Sequence, residues 1–124
     1  MNMFGVHYLF AGFRDDDVHE DLIAEYLERF KDCKIFAPLP EDGGNEQHNL
    51  IGRLASRYNP TYYGTCTKNR PFPTGDFRVE LTYDELKKKN VILDCYASQF
   101  KMDKYNSPYF NIMQTGPEYI SYEY

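Results

Sequence analysis

The chain has 124 residues, 42% hydrophobic, 27% charged and 17% aromatic, with a formal net charge of −5. That length suits one domain over residues 1–124, and 12 Tyr with 9 Phe argue against intrinsic disorder. No apolar run approaches the ~18–20 residues of a membrane span, and 1–13 lacks the basic leader and small-residue cleavage site of a secretory signal.

Residues 3–13 are almost uninterrupted apolar sequence, with Phe4, Val6, Tyr8 and Phe10 on one parity and Leu9, Ala11 and Phe13 on the other. A strand apolar on both faces is expected to be central and doubly covered. Arg14, Asp15, Asp16 and Asp17 form a loop leading into a helix over 17–31. Val18, Leu22, Ile23, Tyr26, Leu27 and Phe30 recur there at helical spacing, opposite Glu20, Asp21, Glu25 and Glu28. Asp17 with Glu20 fits a capping box loosely, and the aspartates suit the positive end of the helix dipole without any metal. Residues 33–39 read as a second strand closed by Pro38 and Pro40. Strand, helix, strand is the βαβ pattern, which implies parallel strands. The loop 41–45, with Gly43 and Gly44, then leads to a helix capped by Asn45 and stopped at Asn59-Pro60. Its buried stripe is Leu50, Ile51, Leu54, Ala55 and Tyr58.

After Pro60, residues 61–68 and 77–83 read as strands joined by the Pro/Gly loop 69–76. Thr82 with Glu85 caps a short helical turn ending in Lys87-Lys88-Lys89-Asn90. Residues 91–102 read as a long strand and 109–114 as another, connected through 103–108, and the Tyr-rich tail 116–124 as an edge strand or an arm. The expected fold is α+β: a βαβ-like N-terminal half, with two amphipathic helices packed on a mixed sheet completed by antiparallel C-terminal strands.

Three cysteines at roughly thirty-residue intervals offer neither a disulfide framework nor zinc spacing. Cys66 and Cys95 fall inside expected strands, as small apolar residues of a cytoplasmic protein. No metal or cofactor is called for. Ligands of open α/β sheets bind beyond the carboxyl ends of the strands, which here carry Arg14 and Asp15 in one loop and Glu41, Asp42 and Asn45 in the other. His48 lies in the first turn of the following helix, whereas His7 sits within the first strand and His19 in the acidic helix. These carboxylates oppose a phosphate, and neither loop has a phosphate-cradling glycine pattern. They fit acid–base work on a nucleoside instead. Over about residues 1–45, the order of strand, Ala11-Gly12, acidic loop, helix and Ala37-Pro38 is similar in layout to small nucleoside deoxyribosyltransferases. That similarity implies a glutamate nucleophile on a later helix, and the helix after Asn45 offers Glu46 at its very start.

Tyr62, Tyr63, Phe77, Tyr83, Tyr96, Tyr105 and Tyr109 are interleaved with Lys68, Arg70, Arg78, Lys87, Lys88, Lys89, Lys101 and Lys104, the logic of a single-strand nucleic-acid binder. Residues 61–110 nevertheless carry a net charge of only +2, which speaks against nucleic acid. The excess negative charge is concentrated between Arg14 and Glu46, with 4 basic and 11 acidic residues. Such a field attracts basic surfaces. The chain therefore reads more easily as a non-catalytic binder than as an enzyme. Asp15, Asp16, Asp17, Glu20, Asp21, Glu25 and Glu28 would dock on a basic protein partner, assisted by Tyr119, Tyr122 and Tyr124, which also suit pairing with a second copy. An inhibitor of a nucleic-acid-handling host factor, of phage accessory or anti-defence type and acting in the host cytoplasm, is one concrete version by analogy of size and composition.

Overall fold

The computed structural model describes residues 19–67, 69–95 and 109–124. The expected strand 3–13, the loop of Arg14, Asp15, Asp16 and Asp17, and the connection 103–108 lie outside them. Within the described residues four α-helices accompany one mixed four-stranded sheet, an α+β arrangement.

Helix α1 spans Glu20–Arg29, with His19 at its N-cap. The helix thus begins at Glu20, inside the span 17–31 expected for it, and Asp17 lies outside the described residues. Ile23 is its buried residue. Strand β1 (Phe36–Pro38) ends where Pro38 and Pro40 withdraw backbone donors. Asn45 caps α2 (Glu46–Ala55) as its side chain predicts, accepting the backbone N–H groups of Gln47 and His48. A 3₁₀ turn, Ser56–Tyr58, follows, and Asn59 adopts φ 49° before β2 (Thr61–Tyr63). β1 and β2 run parallel, so β1–α2–β2 is a βαβ unit, and the first strand of the unit expected from residues 3–39 lies outside the described residues.

Several later expectations are corrected. The strand expected over 77–83 is β3, Phe77–Val79 only, and Tyr83 opens a helix. Within 61–68 only β2 is a named strand, with an isolated bridge between Thr67 and Arg70 and with Lys68 outside the described residues. Thr82 and Glu85 do form a full capping box, but the helix it starts, α3, runs Tyr83–Asp94. Val91, Ile92 and Leu93 therefore continue a helix rather than a strand, because a well-capped nucleus propagates at one hydrogen bond per residue; residues 96–102 of that expected strand lie outside the described ones. Residues Tyr109–Thr115 form helix α4, not a strand. It leans on α3, where the Asn90 side chain donates to the Gln114 carbonyl at 3.1 Å, so tertiary contact overrides β-propensity. Cys66 lies outside any strand, and Cys95 is the C-cap of α3.

Strand β4 (Glu118–Ser121) inserts between β2 and β3 in the order β1-β2-β4-β3, antiparallel to both neighbours. The tail is accordingly an interior strand and neither an edge nor an arm. Register places Ala37, Tyr62 and Ser121 on one face of the sheet. Ala37 and Tyr62 join Ala55 of α2 in the core, with Leu27, Ile35 and Leu39 packed around them. The opposite face carries Phe36, Tyr63, Phe77 and Val79, all exposed. No described helix is long and apolar enough to cross a membrane.

Candidate functional site

Glu41 is the node of the loop after β1. The Asn49 side chain clamps its backbone twice: Oδ1 accepts the Glu41 N–H at 2.9 Å, and Nδ2 donates to the Glu41 carbonyl at 2.8 Å. Gly43 supplies the left-handed residue of this loop, with φ +74°. The Glu41 carboxylate meets the loop before β3. Its Oε1 accepts from Arg70 Nη2 at 2.6 Å and from the Thr74 hydroxyl at 3.0 Å. The pair is largely shielded, with side chains 15% exposed for Glu41 and 21% for Arg70. Glu41 Oε2 is buried with no hydrogen-bond partner. Arg70 also donates to the carbonyl of Phe72, whose ring it overlies. Burial pushes the Cys66 thiol up, with Arg70 opposing and Glu41 reinforcing the rise, so this thiol is a poor nucleophile at neutral pH.

Thr74 connects this node to an open cleft of about 320 Å³, lined by Leu39, Pro40, Thr74, Gly75, Asp76, Ser121, Glu123 and Tyr124. Buried Ser121 accepts the Asp76 N–H at 2.9 Å, and the Tyr124 ring stands edge-on to Tyr62 with centroids 5.4 Å apart. The cleft thus adjoins the helix-covered face just beyond β1, and its charged lining is acidic.

Of the residues expected to bind a ligand, only Glu41 takes part in this network; neither it nor Asp42, Asn45 or His48 lines the cleft. Asp42 and His48 are exposed, and Asn45 is occupied as a helix cap. Arg14 and Asp15, and His7 likewise, lie outside the described residues. Sequence reasoning gave Asn49 and Thr74 no role and placed Arg70 only among the basic residues interleaved with aromatics, since these partners of Glu41 are distant from it in sequence.

The expected docking residues divide. Glu20, Asp21 and Glu25 are exposed on α1, and among the described residues no cation pairs with them. Glu28 is committed instead: it accepts from Lys31 at 2.6 Å and from the Tyr58 hydroxyl at 2.9 Å, and these bonds lower its pKa. Asp16 and Asp17 lie outside the described residues. Tyr122 and Tyr124 are exposed, whereas Tyr119 is half-buried within β4. Among the described residues the Tyr/Lys interleaving does not assemble on one sheet, since Lys87, Lys88 and Lys89 ride on α3 and Tyr62 is buried, its hydroxyl on the Gly52 carbonyl; Lys68, Tyr96, Lys101, Lys104 and Tyr105 lie outside the described residues. No group of three His, Cys, Asp or Glu among the described residues is placed to hold a metal ion. No protein-family model, curated protein or solved structure matches the chain.

Proposed function

We propose that the chain is a non-catalytic binding protein that docks the outer face of α1 on a basic surface of a protein partner. The observation that carries this reading is the trio Glu20, Asp21 and Glu25, exposed together and without a cation among the described residues. Exposed carboxylates steer encounter with a positive surface and fix its register. A partner whose basic groove ordinarily holds nucleic acid presents the complementary field, and the chain acts there as an inhibitor by occupancy. Ile23 anchors the helix from its other side, so the acidic face can change without disturbing the core.

The test is affinity capture of the tagged chain from its source-cell lysate, beside a Glu20→Lys/Asp21→Lys/Glu25→Lys variant of unchanged circular dichroism. A stoichiometric protein that is lost in the variant and released by moderate salt supports the reading. Equal capture by both proteins refutes it. Glu28 is left in place because its change would also release Lys31 and Tyr58.

The cleft favours a second reading, a nucleoside-binding protein. Leu39 and Pro40 offer an apolar wall, and Asp76 and Glu123 offer acceptors for sugar hydroxyls. Nucleosides that raise the melting temperature of the wild type but not of Asp76→Asn would favour it over docking.

A further inference from the structure

Among the described residues, β3 has β4 on one side and no strand on the other, and all three of its residues are exposed. Phe77 is 54% and Val79 37% exposed, on the same sheet face. Phe77 also touches the exposed ring of Tyr122, with centroids 5.5 Å apart, which widens the apolar margin beside this edge. Natural edges are kept from pairing by charge, and a charge of one sign repels a second copy. This edge carries two charges of opposite sign, Arg78 and Glu80, which form an ion pair with each other.

We propose that β3 is the interface between two copies of this chain, paired antiparallel about a two-fold axis at Val79. In that register Val79 faces the second copy's Val79, Arg78 faces its Glu80, and Phe77 faces its Leu81. Symmetry repeats each contact, as an isologous interface requires. An axis one residue earlier or later sets Arg78 against Arg78, or Glu80 against Glu80, and like charges directly opposite are unfavourable. The charges therefore select the register. They contribute little affinity, because an exposed ion pair within the strand is exchanged for one across it. Backbone hydrogen bonds along the edge and the apolar residues Phe77, Val79 and Leu81 supply the attraction.

The experiment is analytical ultracentrifugation of the purified chain over a dilution series, with Arg78→Glu, Glu80→Arg and the double swap. The wild type is expected to dimerise. Each single variant places two like-charge pairs across the axis and weakens dimerisation by about tenfold. The swap restores opposite charges and returns the wild-type dissociation constant. A wild type that stays monomeric at every concentration overturns the proposal and leaves this edge to a strand of another protein. Single variants that dimerise like the wild type, or a swap that fails to rescue them, overturn it too. Both substitutions are at exposed positions, and circular dichroism verifies the fold; if one single variant is unfolded, the other and the swap decide.

Discussion

Gly52→Ala is a sharp test of how α2 is seated on β1. A methyl group built there lies 2.7 Å from Pro40 Cγ and 2.9 Å from Pro40 Cδ, and closer still to the Pro38 carbonyl oxygen. Ordinary carbon–carbon contacts are about 3.5–4.0 Å, so the overlap is severe. Neither obstacle can rotate away, since one is backbone and the other a proline ring. In an exposed helix the same change would gain about 1 kcal/mol of helix propensity. Overpacking costs about 1–3 kcal/mol, and immobile neighbours put this site at or above the upper end. The helix must move off β1, which also stretches the 3.3 Å bond from the Tyr62 hydroxyl to the Gly52 carbonyl. A net loss of about 2 kcal/mol follows from those two magnitudes. Urea denaturation reads it as a midpoint lowered by roughly 1 M at unchanged slope. Arg53→Ala, exposed and adjacent, serves as the control and changes stability by less than about 0.5 kcal/mol. A Gly52→Ala midpoint at or above that of the wild type would refute the close helix–strand approach.

Arg70→Met removes the cation from a shielded Glu41 and is expected to cost about 2 kcal/mol, most of it recovered in Glu41→Gln/Arg70→Met; wild-type stability of the single variant in urea would show that the pair is not structural. Thiol titration of the native protein should find Cys33 and Cys95, both exposed, reacting fast, and Cys66, its thiol raised by burial, reacting slowly. Three equal rates would contradict that placement. Glu85 has its pKa lowered, first by the Thr82 backbone N–H and then by the Thr82 side chain. Its contribution to α3 is therefore fully present above the unfolded glutamate value and lost as pH falls through the lower folded value. NMR titration should show that lowered midpoint in the wild type and only a partial return in Thr82→Ala, which keeps the backbone N–H, and a wild-type midpoint at the ordinary glutamate value would count against the capping box.

What could be read along the chain was what neighbouring residues decide. Asn45 accepts the N–H groups two and three residues ahead, and Thr82 and Glu85 bridge a single turn, so both caps were legible in the sequence. The exposure of the acidic residues of α1 followed from helical spacing in the same way, whereas the bonds of Glu28 to Lys31 and Tyr58 did not. Partners distant in sequence were not legible. Arg70 meets Glu41 across 29 residues and Thr74 meets it across 33, and nothing local distinguishes that arginine from the other basic residues of its half. The sheet shows the same limit. Tyr119 to Ser121 alternate as any strand does, but their place between β2 and β3 depends on β3 and β4 pairing in one register. Helix α4 was misread because Tyr, Phe and Ile favour strands in isolation, whereas packing against α3 decides the outcome.

The two proposed surfaces lie at opposite ends of the sheet, which makes them separable. α1 reaches the sheet through α2 and β1, and β3 is the last strand in the order β1-β2-β4-β3. At ~4.8 Å per strand, β1 and β3 are about 14 Å apart. Pairing β3 with β3 therefore leaves α1 uncovered and sets two acidic faces toward the far ends of one continuous sheet. A dimer of that shape attaches to paired basic surfaces at two points, and the second attachment is intramolecular. Arg78→Glu should then speed dissociation from a densely immobilised partner while leaving one-to-one binding to a soluble partner unchanged. Glu20→Lys/Asp21→Lys/Glu25→Lys should abolish both kinds of binding while the dimer survives in the ultracentrifuge. A triple variant that dissociates into monomers would mean that one surface serves both contacts, and the separation across the sheet would be wrong.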